Sequence, residues 1–413
     1  MRGHTWVPPL LISVITLALA LAFINTGAWS VFDEYTHFDY VARVAVDGAL
    51  PRVRDALGQT ALQAAACDRA PGFGLLAPLC GQSNIDPALA PYGGQSTATS
   101  YLPTYYSITA LGALVLHWLP LGLDWLHAAR VMGAFYLVAA SLLVYGTARQ
   151  LRADRRVALA AAIVTSAMPT MLLQFSTVNN DALAVVMPLA AVYAYLSLRG
   201  HRLLLRATTA FAIAFIGMTA KETAVIGVAA VLALTVRDAS ADDRHRWRTT
   251  SGALLAAAAS IGLATVLRSV VYPSIVGIVS DNGLQNAELV RVQGTPPINL
   301  VAGNALAASA TVFQVPDGIL AGVWFALAAQ LVAIVAIGLP LAAILFSEHW
   351  RRPQSPRKVL AVTVLAMIPV FVVVFLGLLR VQGLTPFFQP RYLLPTFVLA
   401  IPVAASFIAP RWG

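Results

Sequence analysis

Charge is scarce in this sequence. Only 11% of its 413 residues are Asp, Glu, Lys or Arg, against 59% hydrophobic residues and a mean hydropathy of +0.75, a balance that excludes a soluble core. Cysteine is nearly absent, Cys67 and Cys80 being the two present, so no zinc cluster can be read from it. No phosphate-cradling glycine loop, nucleophile elbow or dinucleotide fingerprint occurs, which leaves cytoplasmic nucleotide chemistry, nucleotide-sugar donors included, without residues to carry it. Nor is any basic stretch interleaved with aromatics, so nucleic acid is not an expected partner.

What the chain does have is long apolar runs. Eleven lie near 8–28, 104–119, 128–148, 157–175, 182–198, 204–220, 223–236, 251–271, 318–346, 359–379 and 393–409, most of them near the ~20 residues needed to cross a bilayer. Basic residues then set the orientation, because cytoplasmic loops carry excess Lys and Arg. Four clusters recur between runs: Arg149, Arg152, Arg155 and Arg156; Arg199, Arg202 and Arg206; Arg237, Arg244, Arg246 and Arg248; and Arg351, Arg352, Arg357 and Lys358. All fall on one side only if the short run 104–119 does not cross. The expectation is therefore an all-α polytopic membrane protein of about ten spans in a bacterial inner (plasma) membrane, both termini cytoplasmic, with 104–119 interfacial or re-entrant. The first run reads as a retained anchor rather than a cleaved signal. The formal charge of +9 follows from the arginine-rich inner loops and their contact with anionic membrane lipids.

The chain thus reads as a single membrane domain, 1–413, with two large outer loops, 29–127 and 272–316. Both cysteines lie in the first, assigned to an oxidising compartment where disulfides persist, so a Cys67–Cys80 bridge is expected. At the start of that loop Phe32, Tyr35, Phe38, Ala42 and Ala45 recur at three- and four-residue steps, which predicts a helix lying along the membrane surface. Its other face carries Asp33, His37 and Tyr40, with Glu34 beside them. Two adjacent carboxylates near low dielectric supply a candidate general base, with His37 able to share or orient the proton. Either Asp33 or Glu34 can fill that role. The plainer reading is that the acidic pair halts the helix in the headgroup layer.

Further polar islands fall on the same outer side: Asn179-Asn180-Asp181, Lys221-Glu222, Arg380, Arg391-Tyr392 and Arg130. Each has a plainer reading, as turn chemistry, a solvated hairpin tip or an interfacial anchor.

The order of these motifs resembles the GT-C superfamily of multi-spanning glycosyltransferases, in particular bacterial members similar to the protein mannosyltransferase and aminoarabinose transferase families, and the likeness covers most of the chain. Asp33-Glu34 after the first run resembles that superfamily's first-loop acidic motif, continued by Phe38-Asp39-Tyr40. Tyr101-Leu-Pro-Thr-Tyr-Tyr106 resembles its Pro-Pro-Leu-Tyr-Tyr element, Asn180-Asp181-Ala-Leu183 a second acidic motif, Thr219-Ala-Lys-Glu222 the lysine-bearing turn, and Gln389-Pro-Arg-Tyr-Leu-Leu-Pro395 the late Gly-Arg-Tyr-Leu-Leu-Pro pattern. Thr104 and Pro390 depart from the usual residues. Larger relatives carry a soluble extracytoplasmic domain, and none is expected here.

The resemblance implies inverting transfer of a sugar from a polyprenyl-phosphate donor to a hydroxyl of an envelope glycan, lipid or protein acceptor on the extracytoplasmic face. It implies Asp33 as base with Glu34 the alternative and His37 supporting; Arg391, Lys221 and Arg130 on the donor phosphate; and Asp181, Asn180, Tyr40, Tyr105, Tyr106 and Tyr392 around the substrates. No cofactor is required by the sequence. If a divalent cation takes part, Asp33, Glu34 and Asp181 are its candidate ligands. A lipid-linked-sugar transporter or flippase and a non-catalytic lipid-carrier scaffold are the alternatives, the former disfavoured by the few ionisable residues at mid-depth.

Overall fold

The computed structural model describes residues 6–27, 29–30, 34–52, 55–68, 70, 77–240, 246–276, 338, 355–381 and 390–408. Among them the protein is all-α, as the apolar runs predict, apart from an isolated antiparallel bridge between Ala56 and Gln95. The candidate base Asp33, most of the second outer loop and the run 318–346, residue 338 apart, lie outside the described residues.

The first helix, α1 (Val7–Ile24), carries Pro8 and Pro9 in its opening turn, where a missing N–H leaves no bond unmade. Its buried residues Pro8, Ile12, Thr16, Ala20 and Ile24 recur every fourth position and form one stripe against the bundle, while Leu10, Leu11 and Val14 are exposed. That arrangement suits a helix with one face on protein and one on lipid.

The first loop folds into α2 (Glu34–Ala42), a π-helical turn over Arg43–Asp47, α3 (Gln59–Cys67), several 3-10 turns and α4 (Thr104–Trp118). A disulfide joins Cys67 to Cys80. The 15 residues of α4 reach only about 22 Å at ~1.5 Å each, less than the ~30 Å hydrocarbon core. The helix expected at the start of this loop is present as α2, and it has no exposed face. All nine residues of α2 are buried, because α3, α4 and the long helix that follows α4 close over both of its faces.

The bundle proper consists of α5 (Trp125–Gln150), α6 (Arg155–Ala167), α7 (Pro169–Ser176), α8 (Asp181–Ser197), α9 (Leu203–Ala220), α10 (Val225–Ser240), α11 (Arg246–Val266), α12 (Tyr272–Val276), α13 (Pro356–Val381) and α14 (Leu394–Ile408). Asp124 and Asp154 cap α5 and α6 through side-chain bonds to the His127 and Arg156 amides, 2.7 and 2.8 Å. A 60° bend separates α6 from α7, since Pro169 drives Met168 out of the helical region to ψ 129°. Six described helical segments are long and apolar enough to cross a membrane, or seven if the bent pair counts as one. The protein is thus a multi-pass membrane protein; of the remaining expected spans, two correspond to the 17-residue α8 and to α13, and the third, 318–346, falls outside the described residues except for residue 338.

At the centre stands α8, packed by α5, α9, α10 and α14 and buried along most of its length. Close approach also holds α5 to α7: a Cβ on Gly133 would stand 2.0 Å from the Phe175 carbonyl oxygen. Only glycine admits that contact.

Candidate functional site

Two charge constellations occupy the end of the bundle where α1 finishes and α2, α5 and α8 begin. The first is built on Glu34, the opening residue of α2. Its Oε1 accepts from Arg130 Nε at 2.9 Å and from the Val178 amide at 3.0 Å, and its Oε2 accepts from Arg130 Nη2 at 3.2 Å and from the Ser30 amide at 2.9 Å. Both side chains are fully buried, and the Arg130 guanidinium lies 4.9 Å from the Trp29 ring centroid. A carboxylate with both oxygens engaged, two of its four partners being backbone amides, is a structural clamp between α1, α2, α5 and the turn before α8. Glu34, expected as an alternative base, is thus bonded at both oxygens, whereas Arg130, expected on the donor phosphate, gives Nε and Nη2 to Glu34 and keeps a buried Nη1 with no hydrogen-bond partner among the described residues.

The second constellation gathers on Asp181, the first residue of α8. Lys221 Nζ stands 2.6 Å from Asp181 Oδ1 and Arg391 Nε 3.6 Å from Oδ2. Lys221 sits in the extended break after α9 (φ −160°, ψ 140°), and Arg391 in the 3-10 turn Pro390–Leu393 that leads into α14. Three elements far apart in sequence therefore deliver their charges to one point. Asp181, Lys221 and Arg391 are 0%, 2% and 6% exposed, so the carboxylate holds two cations that burial alone would expel. Asp181 at a helix N-terminus also meets the positive end of the helix dipole.

Aromatic rings and a third cation surround this core. Lys221 Nζ lies 5.1 Å from the Tyr392 ring centroid and 5.9 Å from that of Tyr101. The Arg268 guanidinium lies 5.5 Å from Tyr101 and pairs with Glu222. Tyr101, Tyr392 and Arg268 are partly open to solvent, and Glu222 more so. The cluster thus has a buried floor, Asp181, Lys221 and Arg391, and an accessible aromatic and cationic rim.

Other tyrosines belong to a closed stack. The Tyr40 and Tyr106 rings lie parallel at 3.8 Å, Tyr105 meets Tyr106 edge-on at 5.2 Å, and all three are fully buried. The Tyr105 hydroxyl accepts from the Asn179 amide at 3.0 Å, and the hydroxyls of Tyr40 and Tyr272 share a 2.5 Å hydrogen bond. Their faces and tips are taken by protein, which corrects the expectation that Tyr40, Tyr105 and Tyr106 touch a substrate. His37 shares a 2.7 Å hydrogen bond between its Nδ1 and the Tyr106 hydroxyl and lies 5.6 Å from the Tyr101 ring, joining the stack to the rim.

Asn180 donates from Nδ2 to the Ala220 carbonyl at 3.3 Å, while its buried Oδ1 has no hydrogen-bond partner among the described residues. Asp39 ties α2 to α3 by accepting from the Gly58 amide at 2.7 Å and from Arg43 Nε at 3.1 Å. Burial pushes its carboxyl above the usual range, against the opposing pull of Arg43 and the Gly58 amide. Among the described residues no three His, Cys, Asp or Glu side chains stand where they could hold a metal ion.

Sequence reasoning missed Arg268, Tyr101 as a ring beside the cations, and Tyr272. For Arg268 the signal was present: an arginine inside the apolar run 251–271 is a functional candidate by its cost alone. Nothing local marks Tyr272, whose partner lies 232 residues away.

Residues 74–400 match the family described as "Predicted membrane protein (DUF2142)", and the chain belongs to it. No curated protein matches. Among solved structures the chain is similar to an oligosaccharyltransferase of Archaeoglobus fulgidus, crystallised tethered through a disulfide bond to an acceptor peptide containing an NVT sequon. The identity is 13% and the TM-score 0.50, over 97% of this chain and 49% of that one. The protein therefore spans about half of that structure's length, and the likeness gives it a GT-C-like fold.

Proposed function

We propose that this DUF2142 protein is an inverting membrane glycosyltransferase that moves a sugar from a polyprenyl-phosphate donor to an acceptor hydroxyl at the extracytoplasmic face of a bacterial plasma membrane, with both termini cytoplasmic. The observation that carries the reading is the meeting of Lys221 and Arg391 on Asp181, with Arg268 and the rings of Tyr101 and Tyr392 at the rim. Preorganised cations beneath an accessible aromatic rim suit a leaving phosphate and the sugar attached to it.

In this reaction the acceptor hydroxyl gives its proton to Asp33 as its oxygen bonds to the anomeric carbon. The bond from that carbon to the phosphate oxygen breaks, and the electron pair leaves with the polyprenyl phosphate. Arg391 and Arg268 neutralise the departing phosphate, and Lys221 is the third cation. Asp181 positions Lys221 and Arg391, and the Asn180 Oδ1 stands ready to accept from a substrate hydroxyl. Glu34, clamped by Arg130, fixes the start of α2.

Incubation of the purified chain with a panel of polyprenyl-phosphate sugars and a polysaccharide acceptor tests this. Donor consumption with release of polyprenyl phosphate is expected, abolished in a folded Asp33→Asn variant. Full turnover in Asp33→Asn ends the base assignment, and no release from any donor counts against the transferase.

A further inference from the structure

The opposite end of the bundle holds a second concentration of charge. Arg206 lies in the first turn of α9 and Lys221 just beyond its last, about 22 Å apart along the axis at ~1.5 Å per residue. At the Arg206 end a cavity of about 620 Å³ is lined by Arg152, Arg199, Arg206, Arg237 and Arg357 with a single carboxylate, Asp238. These residues come from the turn after α5, the turn before α9 and its first residues, the end of α10 and the start of α13.

Asp238 is already shared. Arg206 Nη2 and Arg237 Nη1 each lie 2.6 Å from it, and the Tyr195 hydroxyl donates to it at 3.0 Å. Arg206, 8% exposed, also places its guanidinium carbon over the Tyr195 ring, 4.4 Å from the centroid. Arg199 and Arg357 donate to backbone carbonyls, those of Gln150 at 3.4 Å and Ser406 at 3.0 Å. Among the described residues no carboxylate lies within ion-pair distance of Arg152, Arg199 or Arg357. Burial, and after it the neighbouring Arg237, hold the Arg199 guanidinium below its usual range. Arg152 adds a backbone signature: it is the one described non-glycine residue with positive φ, at 66°, a conformation costing roughly 1–2 kcal/mol.

Membrane orientation requires only that arginines be in these loops. It does not require that guanidiniums from separate segments converge on one cavity with Asp238 as the single carboxylate among its lining residues.

We propose that this cavity is a binding site for a phosphate-bearing anion, held by the planar donor forks of Arg152, Arg199 and Arg357 against the fixed Arg206–Asp238–Arg237 wall. Guanidinium matches phosphate oxygens two bonds at a time, and the volume is that of an ordinary small-ligand site. The same chemistry comes from two sources, the headgroup of an anionic lipid in the adjoining leaflet or a soluble phosphate compound.

The test uses the full chain in phosphatidylcholine nanodiscs, with phosphatidylglycerol mixed in or inorganic pyrophosphate added, and reads the thermal midpoint against ligand concentration. A saturable rise with the lipid alone names the headgroup as the source, and one with pyrophosphate names the soluble anion; both support the site. The Arg199→Gln, Arg357→Gln double variant should shift the half-saturating concentration upward by about tenfold or more. Arg152→Gly should weaken binding while its unliganded midpoint stays equal or rises, because glycine takes the left-handed conformation without strain. That variant decides the matter where the double variant fails to fold. No rise with either ligand, or an undiminished rise in folded Arg152→Gly, overturns the proposal.

Discussion

The Lys221 ammonium stands 2.6 Å from the Asp181 carboxylate with both side chains buried, so the end of α9 and the start of α8 are joined by a charge pair on which Arg391, 170 residues further along than Lys221, also converges. Removal of one member leaves the others unbalanced in low dielectric. Asp181→Asn should therefore lower unfolding stability by about 3–5 kcal/mol, and the Asp181→Asn, Lys221→Met double variant should lose less than Asp181→Asn and Lys221→Met lose separately, because both single losses include the same contact. Thermal denaturation of the three variants in one detergent measures this, and strictly additive losses contradict it.

Glu34 and Arg130 make a parallel prediction with a different signature. Glu34→Gln strands a fully buried guanidinium and should depress the thermal midpoint and the folded yield, again on the scale of about 3–5 kcal/mol. Turnover per folded molecule should fall less than in Asp33→Asn. An unaltered midpoint together with abolished turnover would return Glu34 to the role of base.

The α5–α7 contact is tested by alanine. In Gly133→Ala the new methyl meets the Phe175 carbonyl oxygen at 2.0 Å, whereas in Gly112→Ala it meets the Met132 thioether at 2.2 Å. A backbone oxygen cannot step aside and a methionine side chain can. The former substitution should cost about 1–3 kcal/mol or more and the latter distinctly less, read as the order of their thermal midpoints.

The Cys67–Cys80 bridge closes a short loop, with 13 residues of separation, and loops of this length stabilise by about 3 kcal/mol in the chain-entropy account. Reduction, or Cys67→Ser with Cys80→Ser, should speed proteolytic cleavage between α3 and α4 while the bundle stays protease-resistant. Equal cleavage rates with and without the bridge would show that other contacts hold the loop.

Much of this was legible in the residues. Apolar runs gave the helices because lipid admits no other backbone arrangement than closed hydrogen bonding within a segment or barrel, and Lys221, Asp181 and Arg391 stood out because ionisable groups beside such runs are costly. What the residues could not tell was which charges pair. Glu34 reads as a base when judged against its neighbour Asp33, but its partner Arg130 is 96 residues away. Tyr40, Tyr105 and Tyr106 read as substrate-facing for the same reason: aromatic spacing does not say whether a ring packs on a ligand or on another ring, and here they pack on one another. The helical period around Tyr35 and Phe38 was sound, yet α2 is buried on both faces because the loop folds back over it, a tertiary fact no local pattern carries.

The central claim is that Arg391 and Lys221 receive a lipid-linked phosphate. Titration of the purified protein with a short-chain polyprenyl phosphate, read by native mass spectrometry, tests it most directly. Saturable binding is expected, weakened by about ten- to a hundredfold in folded Arg391→Gln and in folded Lys221→Met. Unchanged affinity in both variants would contradict the account.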